Sequence, residues 1–144
     1  PAFKSKRREL VAEDYIYSIK RILDPKNHAP SFSFIDNKLV GANALVDQAK
    51  KTGTFNYDAK IDGVKALDKY TIQFTLTQPD YNFPYILAYS TFGATAREVV
   101  EYYKDQLGMH PVGTGPYMLS RYVPRSKIEL IAKKDAGTGL GDSV

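Results

Sequence analysis

The hydrophobic periodicity first changes near Ile61, and that change limits the fold more than any single motif. Before it, apolar residues recur at steps of three and four. In VAEDYIYSIKRILDP, Val11, Tyr15, Ile19, Ile22 and Leu23 predict a helix with one buried stripe. Glu13 and Asp14 in its first turn and Lys20 and Arg21 in its last complement the helix dipole, and Pro25 stops it. Leu39, Ala42, Leu45, Val46 and Ala49 repeat the spacing, with Gly53 as the C-cap of a second helix. The connection NHAPSFSF carries two large residues, Phe32 and Phe34, that are expected to be covered.

Beyond Ile61 the period falls to two. Val64, Ala66, Ile72, Phe74 and Leu76 face one way and Lys65, Gln73 and Thr75 the other, with Leu67 to Tyr70 as the turn of an antiparallel hairpin that Pro79 ends. FPYILAYS reads as a short apolar helix or buried turn. TAREVVEYYKDQLG predicts a further helix with Val99, Val100 and Tyr103 inward, and YMLSRYV and KIELIAK, joined by PRS, predict a second hairpin. No strand-helix-strand crossover repeats, so the expected class is α+β, with antiparallel hairpins packed against about three to four helices.

A chain of 144 residues that is 43% hydrophobic and 25% charged supports one ordinary core and is unlike disordered, collagenous or membrane-spanning sequences. The absence of cysteine excludes disulfides, thiolate metal sites and cysteine nucleophiles. Part of the net charge of +4 comes from Lys4, Lys6, Arg7 and Arg8. Both signs mix evenly elsewhere, which favours a solvated terminus over a phosphate-binding patch, and no nucleic-acid partner is expected. The chain opens Pro-Ala-Phe and shows no signal peptide, as an internal piece of a longer protein would.

The glycine-rich stretch HPVGTGPY invites a phosphate-binding reading, which its context weakens. Pro116 stands where a Walker loop continues toward its lysine, and the expected order is helix before and strand after, the reverse of a dinucleotide fingerprint. The second run, Gly137 to Gly141, has the wrong spacing. His28 and His110 lie apart in loops, so no metal site is expected. No Gly-x-Ser-x-Gly elbow occurs, and Glu13, Asp14, Glu98 and Glu101 read as solvated helix faces. The eleven tyrosines and seven phenylalanines are spread as core residues would be. No catalytic residue and no cofactor is expected. Pro111, Gly113, Thr114, Gly115 and Pro116 read instead as a structural connector, the glycines allowing positive φ or close backbone approach and Thr114 bonding locally.

Four stretches taken together are similar to one family. RRELVAEDYIYSIKRILDP, IDGVKALDKYTIQFTLTQPDYNFPYILA, AREVVEYY and HPVGTGPYMLSRYVPRSKIEL resemble the extracellular (periplasmic) solute-binding proteins, family 5, of ATP-binding-cassette importers, which carry dipeptides, oligopeptides and nickel. The resemblance covers residues 7 to about 131. Val11 departs from it, standing where the family usually has Thr or Ser as the helix N-cap. So does KDAGTGLGDSV, where the family continues Asn-Pro-x-Tyr-x-Gly.

The resemblance implies a piece of a two-lobed, periplasmic-binding-protein-like fold, drawn from the N-terminal lobe. Residues 1–110 would belong to its peripheral subdomain, 111–133 to a connector and hairpin of the central subdomain sheet, and 134–144 to a flexible tail. It implies a non-catalytic, periplasmic or cell-surface protein whose parent binds a peptide or small solute, closes about a hinge and engages a membrane permease, the remaining lobe being absent here. Phe32 and Phe34 would face the ligand; the competing arrangement packs both against the second helix. A protein-interaction module, marked by an exposed apolar patch, or a phosphate-handling enzyme, marked by a lysine or arginine converging on Gly113 to Gly115, are the alternatives.

Overall fold

The computed structural model describes residues 8–133, so Lys4, Lys6, Arg7, the run Gly137 to Gly141 and the expected tail lie outside the described residues. The chain forms two compact units, one of Leu10–Thr95 and the other of the segments Pro1–Glu9 and Ala96–Val144.

The first unit begins with α1, Ala12–Leu23. Valine has no side-chain acceptor, and the Val11 N-cap contributes none; only half of a capping arrangement is present, in which the Asp14 carboxylate accepts the Val11 amide at 2.9 Å. Asp14 is thereby buried rather than solvated. The C-terminal part of the expected stripe of α1 is buried, with Ile19, Ile22 and Leu23 inward, but its N-terminal part is one position off. There Ala12 and Ile16 point inward while Tyr15 stays exposed. Two stripes at steps of three and four overlap in this sequence, and periodicity alone does not separate them.

After 3-10 turns at Pro25–Asn27 and Pro30–Phe34, α2 spans Ala42–Thr52. It is entered through Gly41 at φ 79° and closed by Gly53 at φ 71°, the expected left-handed C-cap. Leu39 is not in this helix. It is buried ahead of it, in an antiparallel bridge with Leu76.

Strands β1, Val64–Ala66, and β2, Ile72–Phe74, pair antiparallel with Val64 opposite Phe74, as the alternation predicts. Gly63 lies against the backbone of the Leu39–Val40 segment: its amide donates to the Val40 carbonyl at 2.7 Å, and its carbonyl accepts from Thr75 at 2.9 Å. A short α3, Phe83–Leu87, and a 3-10 turn at Ser90–Phe92 complete the unit. Its core gathers Ile16, Ile19, Leu23, Ile35, Leu39, Val46, Phe55, Ile61, Val64, Phe83 and Phe92 into one cluster.

A polar clasp ties residues 54–60 to the end of α1. Lys20 Nζ donates to the Tyr57 carbonyl at 2.7 Å, and the Tyr57 hydroxyl donates to Asp24 at 2.7 Å. Burial, reinforced by the bond to Asp24, pushes the Tyr57 hydroxyl well above its ordinary pKa.

The second unit contains α4, Arg97–Tyr103, which ends sooner than its sequence suggests. Lys104 adopts φ 46° and the chain continues as a 3-10 turn to Met109. Val99 is buried, and Val100 and Tyr103 are half-buried. Arg8 is not a free solvated cation: its guanidinium grips Glu98 at 2.7 and 3.3 Å. Strands β3, Tyr117–Val123, and β4, Lys127–Ala132, form the second hairpin, with an irregularity at Ser120. Its register puts Tyr117, Leu119, Tyr122, Ile128, Leu130 and Ala132 on one face. That face is wholly apolar, yet all but the half-buried Leu119 are exposed. Element types and order are those of the α+β class expected from the sequence.

Candidate functional site

The two phenylalanines proposed for ligand contact do not act as a pair. Pro30 starts the 3-10 turn that carries them, and the turn rotates positions 32 and 34 to different environments. Phe32 is half-buried and packs against the core cluster that includes α2 residues. Phe34 is 39% exposed and stacks on Tyr89, centroids 5.2 Å apart at 28°, with Tyr89 itself 56% exposed.

Tyr89 is one residue that sequence reading passed over. It belongs to a series, Tyr81, Tyr85 and Tyr89, spaced by four and exposed throughout, so these tyrosines are not core residues. Between Asp80 and Gly93 the segment carries no charge. The signal was present in the i, i+4, i+8 spacing, but the same spacing is what a buried stripe shows.

Polar contacts hold the Phe34 segment to the Tyr89 segment. Thr77 Oγ1 donates to the Asn37 carbonyl at 2.6 Å and Lys38 forms an ion pair with Asp80. Asp80 also accepts the Asn82 amide at 2.9 Å, one turn ahead of α3. The Lys38 ammonium, helped by that amide, holds the Asp80 carboxyl below its ordinary range. Asn37, at φ 56°, is fixed by Asn43, whose Oδ1 accepts the Asn37 amide at 2.9 Å. The result is an exposed, uncharged aromatic ledge of Phe34 and Tyr89 on which an apolar or planar group could stack.

The connector behaves differently from its expectation. Pro111, Gly113, Thr114, Gly115 and Pro116 are exposed, neither glycine has positive φ, and a Cβ added to either would meet nothing within 4 Å. The bend is held from outside: Lys133 Nζ donates to the Gly113 carbonyl at 2.8 Å and its amide to the Pro116 carbonyl at 2.9 Å. A lysine does reach this loop, but its ammonium is bonded to a carbonyl and ties the loop to the end of β4.

Among the described residues no cluster of three or more His, Cys, Asp or Glu side chains is placed to hold a metal. His28 closes the Pro25–Asn27 turn in the left-handed region, and His110 stacks on Tyr103 at 3.9 Å. Among the described residues no helix is long and apolar enough to cross a membrane.

Comparison with known proteins agrees with this architecture. Residues 8–138 match the profile of the family described as bacterial extracellular solute-binding proteins, family 5 Middle. The chain is 30% identical over 139 residues to a glutathione-binding protein, GsiB, of Shigella dysenteriae, covering 92% of this chain and 27% of that protein. It is 29% identical over 125 residues to the probable ABC transporter periplasmic-binding protein SapA of Escherichia coli, covering 80% and 20%. The structure of OppA from Burkholderia pseudomallei superposes with a TM-score of 0.66 at 23% identity, covering 86% of this chain and 23% of that one, a likeness of fold. The chain thus spans about a quarter of the length of the relatives it matches. Profile, relatives and fold converge: the chain belongs to the bacterial extracellular solute-binding proteins of family 5.

Proposed function

We propose that this chain is a section of the N-terminal lobe of a non-catalytic importer component that captures a peptide or related small solute and delivers it to an ATP-binding-cassette permease. The observation that carries the reading is the hairpin of β3 and β4. An all-apolar face left open to water belongs against other chain, and about three quarters of the glutathione-binding relative's length lies outside the matched stretch. In this proposal residues 1–110 form a peripheral subdomain, and residues 111–133, with Pro111, Gly113, Thr114, Gly115 and Pro116 as connector, join a central sheet. The ledge of Phe34 and Tyr89 contributes to the solute cleft, with Phe32 supporting it from the core. Hinge closure on the solute would then present the closed form to the permease, outside the cytoplasm. The glutathione-binding relative supports a short peptide as solute.

Calorimetry on the full-length parent with dipeptides, oligopeptides, glutathione and nickel tests this. Saturable heat with one of the peptides is the expected outcome, and silence across the panel refutes the solute class. The exposed tyrosines Tyr81, Tyr85 and Tyr89 favour a second reading, a protein-interaction surface. It gains if these residues remain accessible to surface labelling in the full-length parent and the peptide panel is silent.

A further inference from the structure

A groove on the Leu10–Thr95 unit has Phe32 in its lining but neither Phe34 nor Tyr89 of the ledge. It runs beside the C-terminal half of α2 as two adjoining concavities of about 240 and 200 Å³ that share Asp24, Pro25, His28 and Lys50. Ala49 and Phe55 line the first, and Val46 and Phe32 the second. The floor is therefore apolar. Both volumes fall below the roughly 300–1,000 Å³ of drug-sized sites, which limits the occupant to a small molecule.

The rim is cationic. Lys26 and Lys50 line the first concavity, and among the described residues neither ammonium has a carboxylate partner at ion-pair distance. The acid beside them, Asp24, has both oxygens engaged, one by the Lys26 amide at 3.0 Å and one by the Tyr57 hydroxyl at 2.7 Å. His28 lines both concavities and adds a ring N–H. The end of α2 would ordinarily repel an anion, yet two of its last carbonyls are occupied: Gln48 accepts Thr52 Oγ1 and Ala49 accepts the Gly53 amide.

We propose that this groove binds a small amphipathic carboxylate, its apolar body on Val46, Ala49 and Phe55 and its carboxylate between Lys26, Lys50 and His28. Charge-assisted hydrogen bonds orient the anion, and apolar contact excludes small inorganic ions as competitors of equal strength.

The test is titration of the isotopically labelled 144-residue chain with sodium benzoate, followed by amide resonances, with benzyl alcohol and sodium chloride as parallel titrants. Expected are saturable shifts confined to residues 24–28 and 46–55, weaker with benzyl alcohol and absent with chloride. Lys50→Glu should weaken benzoate binding by roughly threefold to tenfold, the reach of one exposed charge reversed. Lys51→Glu, which alters net charge equally but does not line the groove, should leave it within about twofold. Lys50→Gln serves if the glutamate variant fails to fold. Shifts that do not saturate, that map elsewhere, or that respond equally to the Lys50 and Lys51 substitutions overturn the proposal.

Discussion

Gly63→Ala isolates a single packing constraint whose size can be worked from distances. A Cβ at Gly63 would sit 2.5 Å from the Val40 amide nitrogen, 2.8 Å from the Leu39 carbonyl carbon and 2.8 Å from the Val40 oxygen. All three are backbone atoms, so no side chain can swing away. Relief requires separating Gly63 from Val40, which stretches the 2.7 Å bond between them and strains the Thr75 bond on the other side. Overpacking costs about 1–3 kcal/mol, and two weakened backbone bonds add about 1 kcal/mol each, giving a loss of roughly 3–5 kcal/mol. Against a total stability of about 5–15 kcal/mol that is a large share.

Urea unfolding followed by far-ultraviolet circular dichroism and tyrosine fluorescence reads this directly, since the chain has eleven tyrosines and no tryptophan. Gly53→Ala is the matched control. Its φ of 71° is unfavourable to alanine, but nothing lies within 4 Å, so it should cost only about 1–2 kcal/mol. Were close approach unimportant, Gly63→Ala would stabilise the chain by about 0.4–1 kcal/mol through the unfolded state. A loss below that of Gly53→Ala, or a gain, refutes the reasoning.

Three further outcomes follow from the same structure. Val11→Thr gives α1 the side-chain acceptor it lacks and should raise stability by about 0.5–2 kcal/mol in the same urea assay; no gain means the Asp14 contact already suffices. For Glu98, burial raises the carboxyl pKa but bonding to Arg8 and to backbone outweighs it, leaving a lowered value. Its contribution is therefore present above the ordinary carboxylate pKa of about 4.3 and is lost as pH falls through the lower folded value. Glu98→Gln should accordingly show a shallower fall in melting temperature below about pH 4.3, and an unchanged acid limb counts against the pair. In the full-length parent, Phe34→Ala or Tyr89→Ala should weaken solute affinity by about 0.5–1.5 kcal/mol by calorimetry, whereas equal affinity removes the ledge from the cleft.

The sequence showed element type and order because each rests on local periodicity. Gly53 and the register of the first hairpin were visible in that way, and at Phe83 a short helix was one of two arrangements left open. What it hid depended on contacts distant along the chain. Arg8 and Glu98 lie ninety positions apart, and nothing local marks them as partners. Leu39 fits the helical spacing of α2 yet is claimed by Leu76. Phe32 and Phe34 look equivalent in sequence, and only the 3-10 turn separates one into the core and the other onto Tyr89. HPVGTGPY was legible as a bend, but the glycines proved to be conformationally ordinary, and Lys133, which ties the bend, announces itself by no motif.

The second hairpin carries a consequence for handling the chain alone. Strands β3 and β4 pair only with each other among the described residues, so each presents an edge of unsatisfied amides and carbonyls. Such edges are templates for intermolecular strand addition unless charge, a bulge or a covering element blocks them. Arg121, Lys127 and Glu129 act as gatekeepers, but the register sets all three on the face opposite Tyr117, Ile128 and Leu130. One side of the ribbon is thus guarded against aggregation and the other is not. In isolation the chain should associate with rising concentration through that unguarded side, and its colloidal stability would be governed by two short strands rather than by the core of the Leu10–Thr95 unit.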